Sequence, residues 1–309
     1  MREGVLEMQS KFMRKLAKQW ELLVMIIPIM VYVFIFSYLP LRGWVIAFQD
    51  FRPARDVHPW VGMDHFRRLF IDSPIFIDVL RNTLAMSIIN LVLGFFSAII
   101  LALLVNEIRF NGFKRVVQTV SYLPHFLSWV IAASLIGDFL SGAGILNQVL
   151  MFFGFIDEPV IFLANPDNFW GIVGLSNVWK SVGWNTIIYL AAITSIDPAL
   201  YESADLDGAG RFGKIWHVTI PGIKSTMIVL LIISIGWVMH AGFELQLLLM
   251  NDLTRPVAEV IDTYVLRYGL QMGNFSTATA AGMFRTLVSV TLIVIANQLM
   301  KLFAKESLF

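Results

Sequence analysis

The chain has 309 residues, of which 57% are hydrophobic and 15% charged, and its mean hydropathy of +0.72 places most of it in lipid rather than water. A formal charge of +1 without any long basic block argues against nucleic acid as a partner, because phosphate binding needs clustered Lys and Arg. With no cysteine, disulfides, thiolate metal sites and cysteine nucleophiles are excluded.

Arg2, Lys11, Arg14, Lys15 and Lys18 precede the first apolar run, Leu22–Leu41. That run is too long for a signal-peptide h-region and lacks a small-residue cleavage site, so a cytoplasmic segment 1–21 followed by a retained span is expected. Crossing the hydrocarbon core takes about 20 mostly apolar residues. Asn82–Asn106, Val116–Gly137 and Ser225–Phe243 meet that length without a charge, whereas Phe169–Ile193 and Thr277–Met300 each contain one basic residue, Lys180 and Arg285. The prediction is an all-α membrane protein with six transmembrane helices, a membrane domain over 22–303 and a tail at 304–309.

Six spans put both ends on one side. With the ends inside, the inner segments (1–21, 107–115, 197–224, 301–309) hold 13 Lys and Arg in 67 residues, against 8 in 102 for the outer ones (42–81, 140–168, 244–276), so both termini are predicted to be cytoplasmic. The outer segments carry Pro53, Pro59, Trp60, Asp157, Glu158 and Pro159, which suits folded extracytoplasmic loops.

Between the fourth and fifth spans, 197–221 is too polar to span and too patterned for a linker. Asp197 can accept the first free backbone N–H groups of a helix that has Pro198 at N1, and Glu202 lies early in that helix. Asp207-Gly208 ends it because glycine tolerates positive φ, a second short helix around Arg211–His217 follows, and Pro221 can open the fifth span. A helix-turn-helix on the membrane face is expected, with a small-residue face of Ala199, Ser203, Ala204, Gly208 and Ala209.

The spacing Glu202-Ser-Ala-x3-Gly208-x9-Val218-x-Ile220-Pro221 resembles the EAA loop of binding-protein-dependent ABC importer permeases, with Ser203 in place of the usual alanine. Further stretches extend the resemblance over most of the chain and toward the carbohydrate-uptake branch of MalF and MalG type, LplB-like polysaccharide permeases. They are Tyr122-Leu-Pro-His-Phe, Trp179-Lys-Ser-Val-Gly-Trp184, Ile188-Tyr-Leu-Ala-Ala, Gly242-Phe-Glu244 and Ile261-Asp-Thr-Tyr-Val-Leu-Arg267. The resemblance implies that Glu202, Ser203, Ala204, Asp207, Gly208, Ala209 and Pro221 form a coupling helix and its flanks, docking on a cytoplasmic ATPase. It also implies a second homologous permease, two ATPase subunits, an extracytoplasmic solute-binding protein and an oligosaccharide cargo, with acidic alginate- or pectin-derived oligosaccharides as one option. ATP and Mg²⁺ would be bound by the ATPases, with no cofactor in this chain and no catalytic role for it.

Gly208-Ala-Gly-Arg-Phe-Gly213-Lys214 imitates the start of a phosphate-binding loop, but Ile215 stands where a Mg²⁺-binding hydroxyl belongs and a helix, not a strand, precedes it. Lys180 admits two roles: on a translocation path with Trp179, Trp184 and Asn185, where aromatic faces stack on sugars, or in an interspan hydrogen bond to backbone or a polar side chain. Glu244 and Gln246 follow the fifth apolar stretch and are path candidates or simply solvated polar residues. Arg285 reads as a structural, snorkelling cation. His125, His217 and His240 lack the partners a metal site requires. An ion-coupled secondary transporter is the competing reading; it calls for intramembrane acids or paired broken spans, and no convincing internal repeat is visible.

Overall fold

A computed structural model describes residues 18–304, which are helical apart from loops and one isolated bridge between Gln49 and Trp60. Arg2, Lys11, Arg14 and Lys15 of the basic N-terminal segment, and 305–309, lie outside the described residues.

Helix α1 (Trp20–Val33) buries none of its residues against the other described residues. It runs on through a wide turn at Phe34–Tyr38 into a tight 3₁₀ stretch at Leu39–Phe48, whose Ala47 is buried. α2 (Pro74–Glu107) and α6 (Pro166–Thr194) form the most extensively packed pair. Their approach depends on small residues: a Cβ on Gly174 would lie 2.6 Å from Ile89, and Ala98 and Ala102 are buried. α6 begins where Asn165 Oδ1 accepts from the Asp167 N–H at 2.9 Å and Pro166 occupies N1.

The stretch Val116–Gly137, expected as one helix, is divided. α3 (Asn111–Tyr122) ends in a 3₁₀ turn at Leu123–Phe126, the chain extends through Leu127 and Ser128, and α4 (Trp129–Leu140) starts anew. Pro124 cannot donate to a continuing helix, and the Ser128 hydroxyl accepts from Ile131 N at 3.3 Å, which caps α4. α5 (Ile145–Phe152) follows, held by buried Asn147, which donates to Ser141 O and Val160 O at 2.8 Å each and accepts from Val160 N at 2.8 Å.

Past α6 come α7 (Pro198–Leu206) and α8 (Arg211–Lys214) on the loop, then α9 (Lys224–Gly236). The expected span Ser225–Phe243 is helical only through α9: Trp237–Phe243 is irregular, Gly242 has φ +96°, and α10 (Glu244–Leu249) begins beyond it. Pro221 lies in the turn Ile220–Gly222 rather than at N1 of α9, and the segment Arg211–Gly222 meets α9 at a 60° bend. α11 (Ile261–Val265) leads to α12 (Phe275–Ala304), which packs on the 3₁₀ stretch and on α9. Arg285 of α12 does not snorkel: its guanidinium pairs with Asp262 of α11, with side chains 22% and 19% exposed.

Among the described residues, Trp20–Phe48, Pro74–Glu107, Trp129–Phe152 and Phe275–Leu302 are long and apolar enough to cross a membrane, and the bent pair Arg211–Gly222 with Lys224–Gly236 makes a fifth. α6 has 29 residues but carries Asn177, Lys180, Ser181 and Asn185 in its interior, and is not among them.

Candidate functional site

Two features stand apart from the packing: a surface helix-turn-helix and a polar cleft. In the first, Asp197 Oδ1 accepts from Ala199 N at 2.9 Å with Pro198 at N1, so α7 starts at the cap its sequence predicts. α7 ends at Gly208, φ +76°, where Gly208 N donates to Asp205 O at 3.0 Å and Ala209 N to Ala204 O at 2.9 Å. Glu202, Ser203, Asp207, Gly208 and Pro221 are exposed, and Ala204 and Ala209 half-buried. The apolar side chains Leu206 and Phe212 beside the turn are 90% and 88% exposed.

The cleft, of about 410 Å³, lies between α2, α6, α9 and the irregular stretch after α9. Asn90, Asn177, Ser181, Asn185, Ser234, Trp237 and His240 all line it. Asn177, Ser181 and Asn185 recur at every fourth position and so share one face of α6. Asn177 Nδ2 donates to Asn90 Oδ1 at 3.1 Å, and Asn90 Nδ2 donates to Ala241 O at 3.2 Å, a carbonyl freed where the helix stops. Sequence reasoning passed over Asn90, Asn177, Ser181 and Ser234; the four-residue spacing on α6 was the available signal, while Asn90 and Ser234 reach the cleft only through packing.

The six path candidates do not gather in one place. Asn185 lines the polar cleft. Lys180 is 8% exposed, donates Nζ–H to His125 O at 3.0 Å and lies 5.0 Å from the Trp129 ring centroid, which is the interspan hydrogen bond with a cation–π contact added. It lines, with Glu244 at the start of α10, a groove of about 430 Å³. Trp184 stacks on the His125 ring at 4.5 Å and keeps 44% of its surface exposed. Trp179 faces away, along an apolar groove with Leu135, Phe139 and Leu175. Gln246, expected near a sugar's entry, is fully buried instead, with Nε2 donating to Ala241 O at 2.5 Å, because α10 folds back under the break after α9. No three His, Asp or Glu among the described residues are grouped to hold a metal ion.

Residues 90–307 match the family described as "Binding-protein-dependent transport system inner membrane component". The chain is 45% identical over 306 residues to the polygalacturonan/rhamnogalacturonan transport system permease protein YteP of Bacillus subtilis, covering 98% of this chain and 94% of that protein. It is 41% identical over 301 residues to protein LplB of the same organism, covering 96% and 94%. Among solved structures, it superposes with a TM-score of 0.88 on a chain of a bacterial ABC transporter involved in import of the acidic polysaccharide alginate, at 41% identity over 95% of this chain and 99% of that one. A second structure of the bacterial alginate transporter, in complex with an alginate pentasaccharide-bound periplasmic protein, gives a TM-score of 0.87 at 40% identity, with 96% and 99% covered.

Proposed function

Because the chain belongs to the family of inner-membrane components of binding-protein-dependent transport systems, we propose that it is one of two permease subunits of an ATP-binding-cassette importer for oligosaccharides cut from acidic polysaccharides. The acidic polysaccharides named for its relatives support that cargo. The partners are a second permease, two ATPases that hold the ATP and Mg²⁺, and a solute-binding protein that delivers the sugar. This chain supplies the path and no hydrolytic chemistry or cofactor.

The observation that carries the reading is the loop 197–221: capped at Asp197, turned at Gly208 and exposing Leu206 and Phe212, it is built to contact another protein. Glu202, Ser203, Ala204, Asp207, Gly208, Ala209 and Pro221 form the docking element and its flanks. A self-contained ion-coupled transporter has no use for such a loop.

Six spans complete the reading, the α6 helix counting as the fourth because its 29 residues reach about 44 Å at 1.5 Å each. Its polar residues then face the path rather than lipid. Both termini are cytoplasmic on the charge distribution, and the inner-membrane domain covers 22–303. The polar cleft is this subunit's part of the path, where Asn185, Ser181 and Asn177 exchange hydrogen bonds with sugar hydroxyls and Trp237 offers a ring face; Trp184 and Glu244 form a second stretch toward the outside, with Lys180 beside them holding the His125 turn in place. Closure of the ATPases on ATP moves the loop and opens the path outward, and hydrolysis restores it.

The test is sugar-stimulated ATP hydrolysis by the reconstituted complex. Glu202→Lys and Gly208→Asp should abolish stimulation or ATPase association while the membrane fold persists; full stimulation in both would overturn the loop as the docking element, and a wild-type chain that neither binds an ATPase nor supports sugar-stimulated hydrolysis would overturn the proposal in favour of the ion-coupled transporter.

A further inference from the structure

The same loop is closed on itself at three levels by residues outside the docking pattern. At its base a Cβ on Gly222 would lie 2.6 Å from the Ile196 side chain, so the entering and leaving strands of chain touch. Midway, Tyr201 of α7 shares a 3.0 Å hydrogen bond with the hydroxyl of Thr219, which is 1% exposed. Near the tip, Lys214 of α8 makes an ion pair with Asp205 of α7 across the Gly208 turn.

The ion pair is partly solvated, its side chains 25% and 61% exposed, and such pairs add little stability. What they restrict is relative motion. α7 and α8 have nine and four residues, too short to hold a geometry by themselves, and they meet at a glycine with φ +76° and open space around its Cβ position. Without cross-links the two arms pivot at Gly208. The arm that leaves the turn runs through Ile215–Gly222 and the 60° bend into α9, whose Ser234 lines the polar cleft.

We propose that Tyr201, Asp205, Lys214 and Thr219 are positioning residues that lock the two arms into one body, so that a push on α7 reaches α9 and the cleft instead of being spent in the turn. This rests on the docking reading above. Loosening the lock leaves the docking face intact but lowers the sugar carried per ATP hydrolysed.

The experiment measures that ratio for the reconstituted complex in proteoliposomes. Tyr201→Phe/Lys214→Met should keep ATPase association and basal hydrolysis but lower sugar moved per ATP by roughly three- to tenfold. Because the chain has no cysteine of its own, Asp205→Cys/Lys214→Cys offers a reversible version. That variant should be uncoupled when reduced and regain the wild-type ratio when oxidised, with the wild-type complex under the same treatments as reference. Wild-type coupling in both the Tyr201→Phe/Lys214→Met variant and the reduced cysteine pair would overturn the lock while leaving docking untouched. Failure of docking itself is read separately, from unimpaired stimulation in Glu202→Lys and Gly208→Asp.

Discussion

Gly183→Ala tests the packing that places α6 against α3. A Cβ at 183 would lie 2.0 Å from Ser121 O, 2.4 Å from Ser121 C and 2.9 Å from Tyr122 N, where ordinary contact begins at 3.4 Å. All three are backbone atoms, so no side-chain rotation relieves the clash and the helices must part by about an ångström or more. The same movement carries off the turn whose His125 carbonyl receives Lys180, 3.0 Å away. Overpacking costs about 1–3 kcal/mol and an unmade bond to a buried charged group about 1–3 kcal/mol, together roughly 2–6 kcal/mol. For a chain of this size that lowers the Tm of the detergent-solubilised protein by roughly 4–12 °C. Gly171→Ala, on the same helix with nothing within 4 Å of the added atom, should match or slightly exceed wild type. Equal Tm values for the two variants would refute the close approach of α3 and α6.

Arg285→Met leaves Asp262 without its partner in a site where both side chains are mostly buried, so a loss of roughly 3–5 kcal/mol is expected, with Asp262→Asn/Arg285→Met less damaging in the same denaturation assay. Asn147→Ala removes three hydrogen bonds of 2.8 Å to backbone groups and should cost about 2–4 kcal/mol, seen first as protease cleavage within 141–160; unchanged protection would refute its stapling role. Lys180→Met should lower stability without altering the preference between neutral and acidic sugars, since the ammonium is already held by His125 O and the Trp129 face; a changed preference would place it on the path. Burial, then Tyr268 and Glu259, push the Tyr264 phenol above its usual range, so its share of stability is intact below about pH 10 and lost as pH rises beyond it; a tyrosinate absorbance at pH 10 that disappears in Tyr264→Phe would refute this.

The loop and the helical class were legible in the sequence because their determinants are local. Asp197-Pro198 starts a helix and Gly208 stops one through caps and φ alone, whatever lies around them. The helix breaks were legible only in part. Pro124 announces the first, yet the second, at Trp237–Phe243, is fixed by bonds from Asn90 on α2 and Gln246 on α10 to one freed carbonyl, Ala241 O, and no window of sequence contains all three. Lys180 was conspicuous as a charge within an apolar stretch, but its partner is a backbone carbonyl 55 residues away, and backbone carbonyls leave no mark in a pattern of side chains. Arg285 misled for the complementary reason: its distance from a helix end suggested reach to solvent, while Asp262 waits on a short helix that folds back beside it.

α1 carries a consequence of a different kind. No residue of Trp20–Val33 is buried against the other described residues, and only Leu23 is partly covered, so in a bilayer this helix inserts without close association within its own subunit. It adds little to the cooperative unit formed by α2, α6 and α12, which the same span joins only at its far end through Leu39–Phe48: heating or denaturant that separates those helices gives up few contacts made by α1, and its residence in the membrane is set mainly by transfer of its apolar side chains from water to lipid. Unfolding of the isolated subunit should therefore be two independent events, with the amides of α1 shielded from exchange by lipid long after those of the helix bundle have opened.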